Sequence, residues 1–219
     1  LMDTDGDGIC DALEVLGCTD TSACSYDETA TDNDNELCTY IAYHYIPLDL
    51  PQGWSMFGYT CTEAIDVIDG FTLIVDEIYL VKDENALVYW PEFQFNNLDS
   101  LRHSEGYQIK MLEQIDDFQF CPTLMYNDDC EEFIPEFIPL DLPQGWSMFG
   151  YTCTEAIDVI EGFALIEDEI YIVKDENALV YWPEFQFNNL DSLRYSEGYQ
   201  VNMLEQIVDF QFCPTFIGE

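Results

Sequence analysis

The segment GYQIKM alternates strictly, with Tyr107, Ile109 and Met111 on one side of an extended chain and Gln108 and Lys110 on the other. That is the period-two signature of a half-buried strand. Upstream, DEIYLVK and ALVYW are β-branched and aromatic runs separated by the polar DEN, which predicts a hairpin. WSMFGY is apolar on both faces, as in a strand enclosed between two layers. In YWPEFQF, Tyr89, Phe93 and Phe95 share one parity and Trp90, Glu92 and Gln94 the other; if the first set is core, the second faces outward. A single helical signal, TEAIDVIDG, has Thr62 as N-cap, Ala64, Ile65 and Ile68 facing inward, and Gly70 as the stop. The pattern predicts a small β-rich module with one short helix.

The pattern then occurs again. Residues 46–123 return at 138–215 with a constant offset of 92 and eight differences, among them Val75/Glu167, His103/Tyr195, Lys110/Asn202 and Asp116/Val208. Positions 75, 110 and 116 change polarity between copies and are expected to face water. The predicted organisation is an irregular Cys-rich segment (1–40), a first β module (41–123), a linker (124–137) and a second β module (138–219). The fold class is mainly β: two tandem small sandwich- or barrel-like modules, each with one short helix.

Charge sets the surroundings of these modules. The 219 residues carry 45 Asp plus Glu against 5 Lys plus Arg, a formal net charge of -40, yet 48% are hydrophobic and 15% aromatic. The apolar content argues for packed cores inside an acidic exterior. Such a field repels nucleic acid and anionic membranes and favours cations. No apolar run has the length of a membrane helix, and no signal peptide is expected within these residues. The chain opens inside a motif, which reads as a mature product or a segment of a longer protein.

Nine cysteines without a CxxC pair, beside only two histidines, point away from zinc and toward disulfides in an oxidising compartment. Cys61 and Cys121 flank the first module as Cys153 and Cys213 flank the second. Bridging each pair would staple a module whose core is otherwise marginal. Cys10, Cys18, Cys24 and Cys38 lie close enough in sequence for two bridges within the tail. Cys130 has no local partner and is either free or paired with another segment or chain.

The start of the chain carries the clearest chemical motif. In DTDGDGICDALE, Asp3, Asp5 and Asp7 take the first, third and fifth positions of a calcium loop. Gly8 makes the turn, Ile9 offers its carbonyl, Asp11 follows, and Glu14 closes the loop. CDALEVLGC is expected to form an exiting helix, with Leu13, Val15 and Leu16 for packing. The acidic run TDNDNE adds Asp32, Asp34 and Glu36, as ligands of a second ion or as a plain polar turn. This loop resembles the thrombospondin type-3 and dockerin-type calcium repeats of secreted proteins. The following GCTDTSACSYDETATDNDNELCTY resembles a motif of surface proteins of marine Bacteroidetes. The modules are similar to β modules of large bacterial secreted proteins that open Gly-Trp and close Gly-Tyr. The resemblance implies an extracellular, calcium-stiffened, multi-module surface protein, with Ca2+ as its cofactor.

No GxSxG, HExxH or phosphate-binding loop is present, and His103 is replaced by Tyr195 in the second copy, so an enzyme is not expected. The expected role is structural or adhesive: part of a secreted surface fibre or modular adhesin whose partners are copies of itself or neighbouring modules. The competing expectation is carbohydrate binding, with Trp90 and Trp182 as exposed stacking platforms. Against it, Pro91 breaks the strand and each Trp then caps a core or an interface.

Overall fold

A computed structural model of the protein describes residues 9–10, 12–40, 43–44, 47–121, 123–124 and 138–212; for 43–44 and 123–124 it describes backbone only. The chain forms two compact units, Leu1–Tyr45 with Pro122–Pro135, and Ile46–Cys121 with Glu136–Glu219. Both sequence copies therefore belong to one unit.

In the first unit, β1 (Leu16–Gly17) and β2 (Asp32–Asn33) run parallel, with Leu16 opposite Asp32. Carboxylates hold the intervening chain in tight turns: Asp20 accepts from the Ser22 amide at 2.9 Å and Asp27 from the Thr29 amide at 2.8 Å. Asp34 caps a short 3-10 turn, Asn35–Leu37, by accepting from the Glu36 amide. The exiting helix expected after the acidic loop does not form. The Val15 amide donates to Thr31 Oγ1 at 2.8 Å, and the Val15 carbonyl accepts from the Thr31 and Asp32 amides. Backbone groups committed to β2 are lost to a helical ladder, and Leu13 and Leu16 point into solvent. A last strand, β3 (Tyr43–His44), completes this part of the chain.

Copy one follows as β4 (Leu48–Leu50), β5 (Gly53–Gly58), β6 (Ile65–Asp66), α1 (Val67–Gly70), β7 (Ile78–Lys82), β8 (Val88–Trp90), β9 (Phe95–Asn96), β10 (Ser100–Leu101), β11 (Gly106–Met111) and β12 (Ile115–Phe118). β13 (Thr123–Leu124) then returns to pair antiparallel with β3. Copy two repeats the order as β14 (Leu140–Leu142), β15 (Gly145–Gly150), β16 (Ile157–Asp158), α2 (Val159–Gly162), β17 (Ile170–Lys174), β18 (Val180–Trp182), β19 (Phe187–Asn188), β20 (Ser192–Leu193), β21 (Gly198–Met203) and β22 (Ile207–Phe210). The fold is mainly β, with two similar tandem modules.

Each module is a five-stranded antiparallel sheet, in the order β5-β11-β7-β8-β9 for copy one, with two short ribbons, β4/β12 and β6/β10. The sheet's inner face carries Phe57, Val81, Tyr89, Tyr107, Ile109 and Met111, all buried, under α1 and the ribbons. Phe57 is the hub, stacking on Tyr107 at 5.4 Å and Phe120 at 5.5 Å and meeting Phe71 edge-on at 5.9 Å. The β7–β8 hairpin forms where the apolar runs predict it. Asp83 pins it, its carboxylate accepting from the Leu87 amide at 2.8 Å.

Two readings of the pattern need correction. The helix spans only Val67–Gly70, with Asp66 rather than Thr62 as N-cap; Val67 is buried and Ile68 half exposed. Residues 65 and 66 are claimed by the β6/β10 ribbon, which delays the helix and rotates its apolar face. Phe93 and Phe95, which a continued alternation from Tyr89 would put in the core, are exposed. Pro91 starts a 3-10 turn, and Gln94 at φ 50° reverses the chain, so the alternation that holds at Tyr89 is lost beyond it.

The copies meet along a seam with pseudo-two-fold symmetry. The Gly58 amide donates to the Ser196 carbonyl at 2.8 Å, and the Gly150 amide donates to the Ser104 carbonyl at the same distance. Phe57 bridges to Glu197 and Phe149 to Glu105. Only glycine fits here: a Cβ on Gly58 would land on Gly150 Cα, and a Cβ on Gly198 would sit 2.6 Å from the Phe57 carbonyl oxygen. The seam therefore joins the Phe57–Gly58 and Phe149–Gly150 ends of β5 and β15 to the residues that lead into β21 and β11.

Candidate functional site

On the outer face of the copy-one sheet, side chains on alternate positions build a stripe across the strands. Lys110 Nζ lies 5.9 Å from the Trp54 ring and 4.6 Å from the Tyr79 ring. Tyr79 meets Trp90 at 5.4 Å, and Trp90 meets Phe93 edge-on at 4.6 Å. Lys82 sits over Trp54 at 5.1 Å. Copy two keeps Lys174 over Trp146 at 4.7 Å and the Tyr171–Trp182–Phe185 contacts, but Asn202 replaces the bridging lysine. All three lysines of the chain therefore lie on these faces, stacked on aromatic rings.

Beside Trp54 the seam opens into a cleft of about 260 Å³, lined by Trp54, Gln108, Lys174, Asp175, Glu176 and Gln200. Trp54 is 51% exposed. The Gln108 amide nitrogen rests against Met56 Sδ at 3.9 Å, a weak acceptor that leaves most of the amide's capacity unspent. At the symmetry-related position Glu84 reaches across and accepts from the Met148 amide at 2.7 Å. Its counterpart Glu176 instead accepts from its neighbour Asn177 at 3.4 Å. Both carboxyls are held above the usual carboxylate range, chiefly because the surrounding protein displaces water, although much of each side chain stays exposed.

Trp90 and Trp182 are half-buried within the stripe, each Nε1 enclosed without a hydrogen-bond partner. Their rings pack against neighbouring aromatics, and the half-exposed indoles are those of Trp54 and Trp146. Sequence reasoning passed over Trp54 because an apolar run gives no sign of which strand end protrudes. The signal was nonetheless present in the alternation that places Phe57 inside and Trp54 on the opposite parity.

Of the calcium-loop residues, Asp3, Asp5, Asp7 and Asp11 lie outside the described residues, while Ile9 and Glu14 are within them. Among the described residues no group of three or more metal-ligating side chains is assembled. In the second acidic run Asp34 is occupied as a cap, and Glu36 is exposed. Asp32 Oδ1 is enclosed without a partner, beside the strand that follows Glu14.

Cys18 is bridged to Cys38 and Cys61 to Cys121. Cys10 is free, so the allowance of two bridges among Cys10, Cys18, Cys24 and Cys38 is corrected. Once Cys18 takes Cys38, Cys10 and Cys24 are left, and Cys24 is disulfide-bonded while Cys10 is free. Cys153 is likewise disulfide-bonded, while Cys130 and Cys213 lie outside the described residues. No protein-family model, curated protein or solved structure matches the chain.

Proposed function

We propose that the protein is an extracellular structural or adhesive element, a subunit or segment of a calcium-stabilised surface fibre or modular adhesin. The observation that carries this reading is the seam: two nearly identical copies interlock backbone to backbone, an arrangement suited to bearing load. Disulfides at Cys18–Cys38 and Cys61–Cys121 support an oxidising, extracellular setting. Among the described residues no helix is long and apolar enough to cross a membrane.

Calcium fits the donor chemistry of the first segment. Asp3, Asp5, Asp7, Asp11 and Glu14, with the Ile9 carbonyl, form an all-oxygen set of the kind a hard cation takes, and the unpartnered Asp32 oxygen is a further donor nearby. A bound cation would offset part of the -40 charge and tie an otherwise turn-rich segment together. Two measurements test the reading. Negative-stain imaging at millimolar calcium is expected to show ordered assemblies, and strictly monomeric particles at high concentration would count against it. Chelation is expected to increase protease cleavage within residues 1–40; unchanged cleavage removes calcium from the proposal.

A second reading, a carbohydrate-binding tandem module, is favoured by one observation, the half-exposed indoles of Trp54 and Trp146.

A further inference from the structure

We propose that the cleft between the copies, floored by Trp54, is a binding site for one ring of a neutral polysaccharide. The assignment rests on the carbohydrate-binding reading and names its site and ligand class. A sugar ring offers an apolar C–H face and a rim of hydroxyls that both donate and accept. The cleft answers each part. Trp54 supplies a flat indole, half exposed and steadied by Lys82 over its ring at 5.1 Å. Around it stand two amides, Gln108 and Gln200, one cation, Lys174, and two carboxylates, Asp175 and Glu176. Mixed donors and acceptors at the rim of an aromatic floor suit a polyol better than an apolar ligand.

Charge decides between neutral and anionic ligands. The lining carries one lysine against two acids, inside a chain of net charge -40. A uronate or sulfated chain would meet repulsion both locally and at long range. Size limits the occupant to one unit: the cleft's 260 Å³ falls below the roughly 300–1,000 Å³ of pockets that enclose drug-sized ligands. The rest of a polysaccharide would run over the open sheet face, past Lys110 and Tyr79. An acidic peptide from a second copy is the competing occupant. It is disfavoured by charge, since the lining carries two acids and the chain a net charge of -40.

The copies differ here. Glu84 accepts from the Met148 amide, whereas Glu176 accepts from its neighbour Asn177 and lines the cleft. Copy-one Trp54, which lines that cleft, is therefore the platform.

The test uses the full chain with intact disulfides, titrated calorimetrically with soluble neutral glucans, mannans and galactans. Polyuronate and poly-glutamate serve as anionic probes. A neutral glycan is expected to bind, and Trp54→Ala and Gln108→Ala are each expected to weaken it, the former by about tenfold or more. Trp146→Ala is expected to bind as the parent does. Glycan binding that survives Trp54→Ala and Gln108→Ala in folded protein overturns the site but leaves the carbohydrate reading standing. No binding of any neutral glycan overturns both, and binding of the anionic probes alone overturns the ligand class.

Discussion

Tyr59, Tyr107, Tyr151 and Tyr199 are among the largest fully enclosed side chains, and each keeps its hydroxyl bonded. Tyr59 donates to the Glu63 carbonyl at 2.8 Å; Tyr107 donates to the Glu105 carboxylate at 2.7 Å and accepts from the Arg102 amide. Burial pushes Tyr59 and Tyr151 up to about 12, and burial beside Glu105 or Glu197 raises Tyr107 and Tyr199 as well. The native state thus holds these phenols neutral where the unfolded chain would ionise them. Their contribution is complete below the ordinary phenol value of 10 and is lost as pH rises above it, through about 12 for Tyr59 and Tyr151. Denaturant midpoints measured from pH 9 upward are expected to fall steeply above about pH 10. Tyr59→Phe, which cannot ionise, is expected to fall less steeply. An identical slope in the variant would show that Tyr59 is not part of the transition. That aromatic residues at these positions are core was legible from alternation around GYQ. Which hydroxyl finds which partner was not, because the Glu63 carbonyl and the Arg102 amide are placed by loops that carry no period.

At the scale of elements, strands were readable and their interruptions were not. The β7–β8 hairpin and the alternation of β11 follow from apolar runs and polar turn residues. The helix at α1 lost its expected first turn because residues 65 and 66 pair with β10, a contact made across more than thirty positions of sequence. Propensity is a weak local preference, and a long-range ladder overrides it. The same competition removed the helix expected after the acidic loop. Cys61–Cys121 closes a separation of 60 residues and ties the loop after β5 to the end of β12. Removing it with the pair Cys61→Ala and Cys121→Ala is expected to cost about 4 kcal/mol in chemical denaturation, if loop entropy dominates. A loss below about 1 kcal/mol would mean that the module's core holds these ends without the staple.

At the scale of the whole molecule, duplication has produced a closed pair. Reciprocal bonds from Gly58 to Ser196 and from Gly150 to Ser104 make the interface self-complementary, the geometry of a two-fold dimer carried on one chain. The bonded residues are the last of β5 and β15 and those that lead into β21 and β11. Gly58→Ala is expected to destabilise the second unit by on the order of 3 kcal/mol, since its Cβ meets backbone that cannot give way. Thermal melts are expected to broaden as the copies uncouple; a sharp, unshifted melt would show that the seam is not tight. The sequence by itself determined the repeat, the β character, the hairpin, the face of β11, the cysteine pair that staples copy one and the acidic surface. These depend on local periodicity, composition and register, which a linear string records. Tertiary structure decided that Trp54 rather than Trp90 stands exposed, that Glu84 reaches across the seam while Glu176 lines a cleft, and that Gly58, Gly106, Gly150 and Gly198 serve close approach rather than turns. Those outcomes come from packing one copy against the other, and near-identical strings carry no mark of which surfaces will meet.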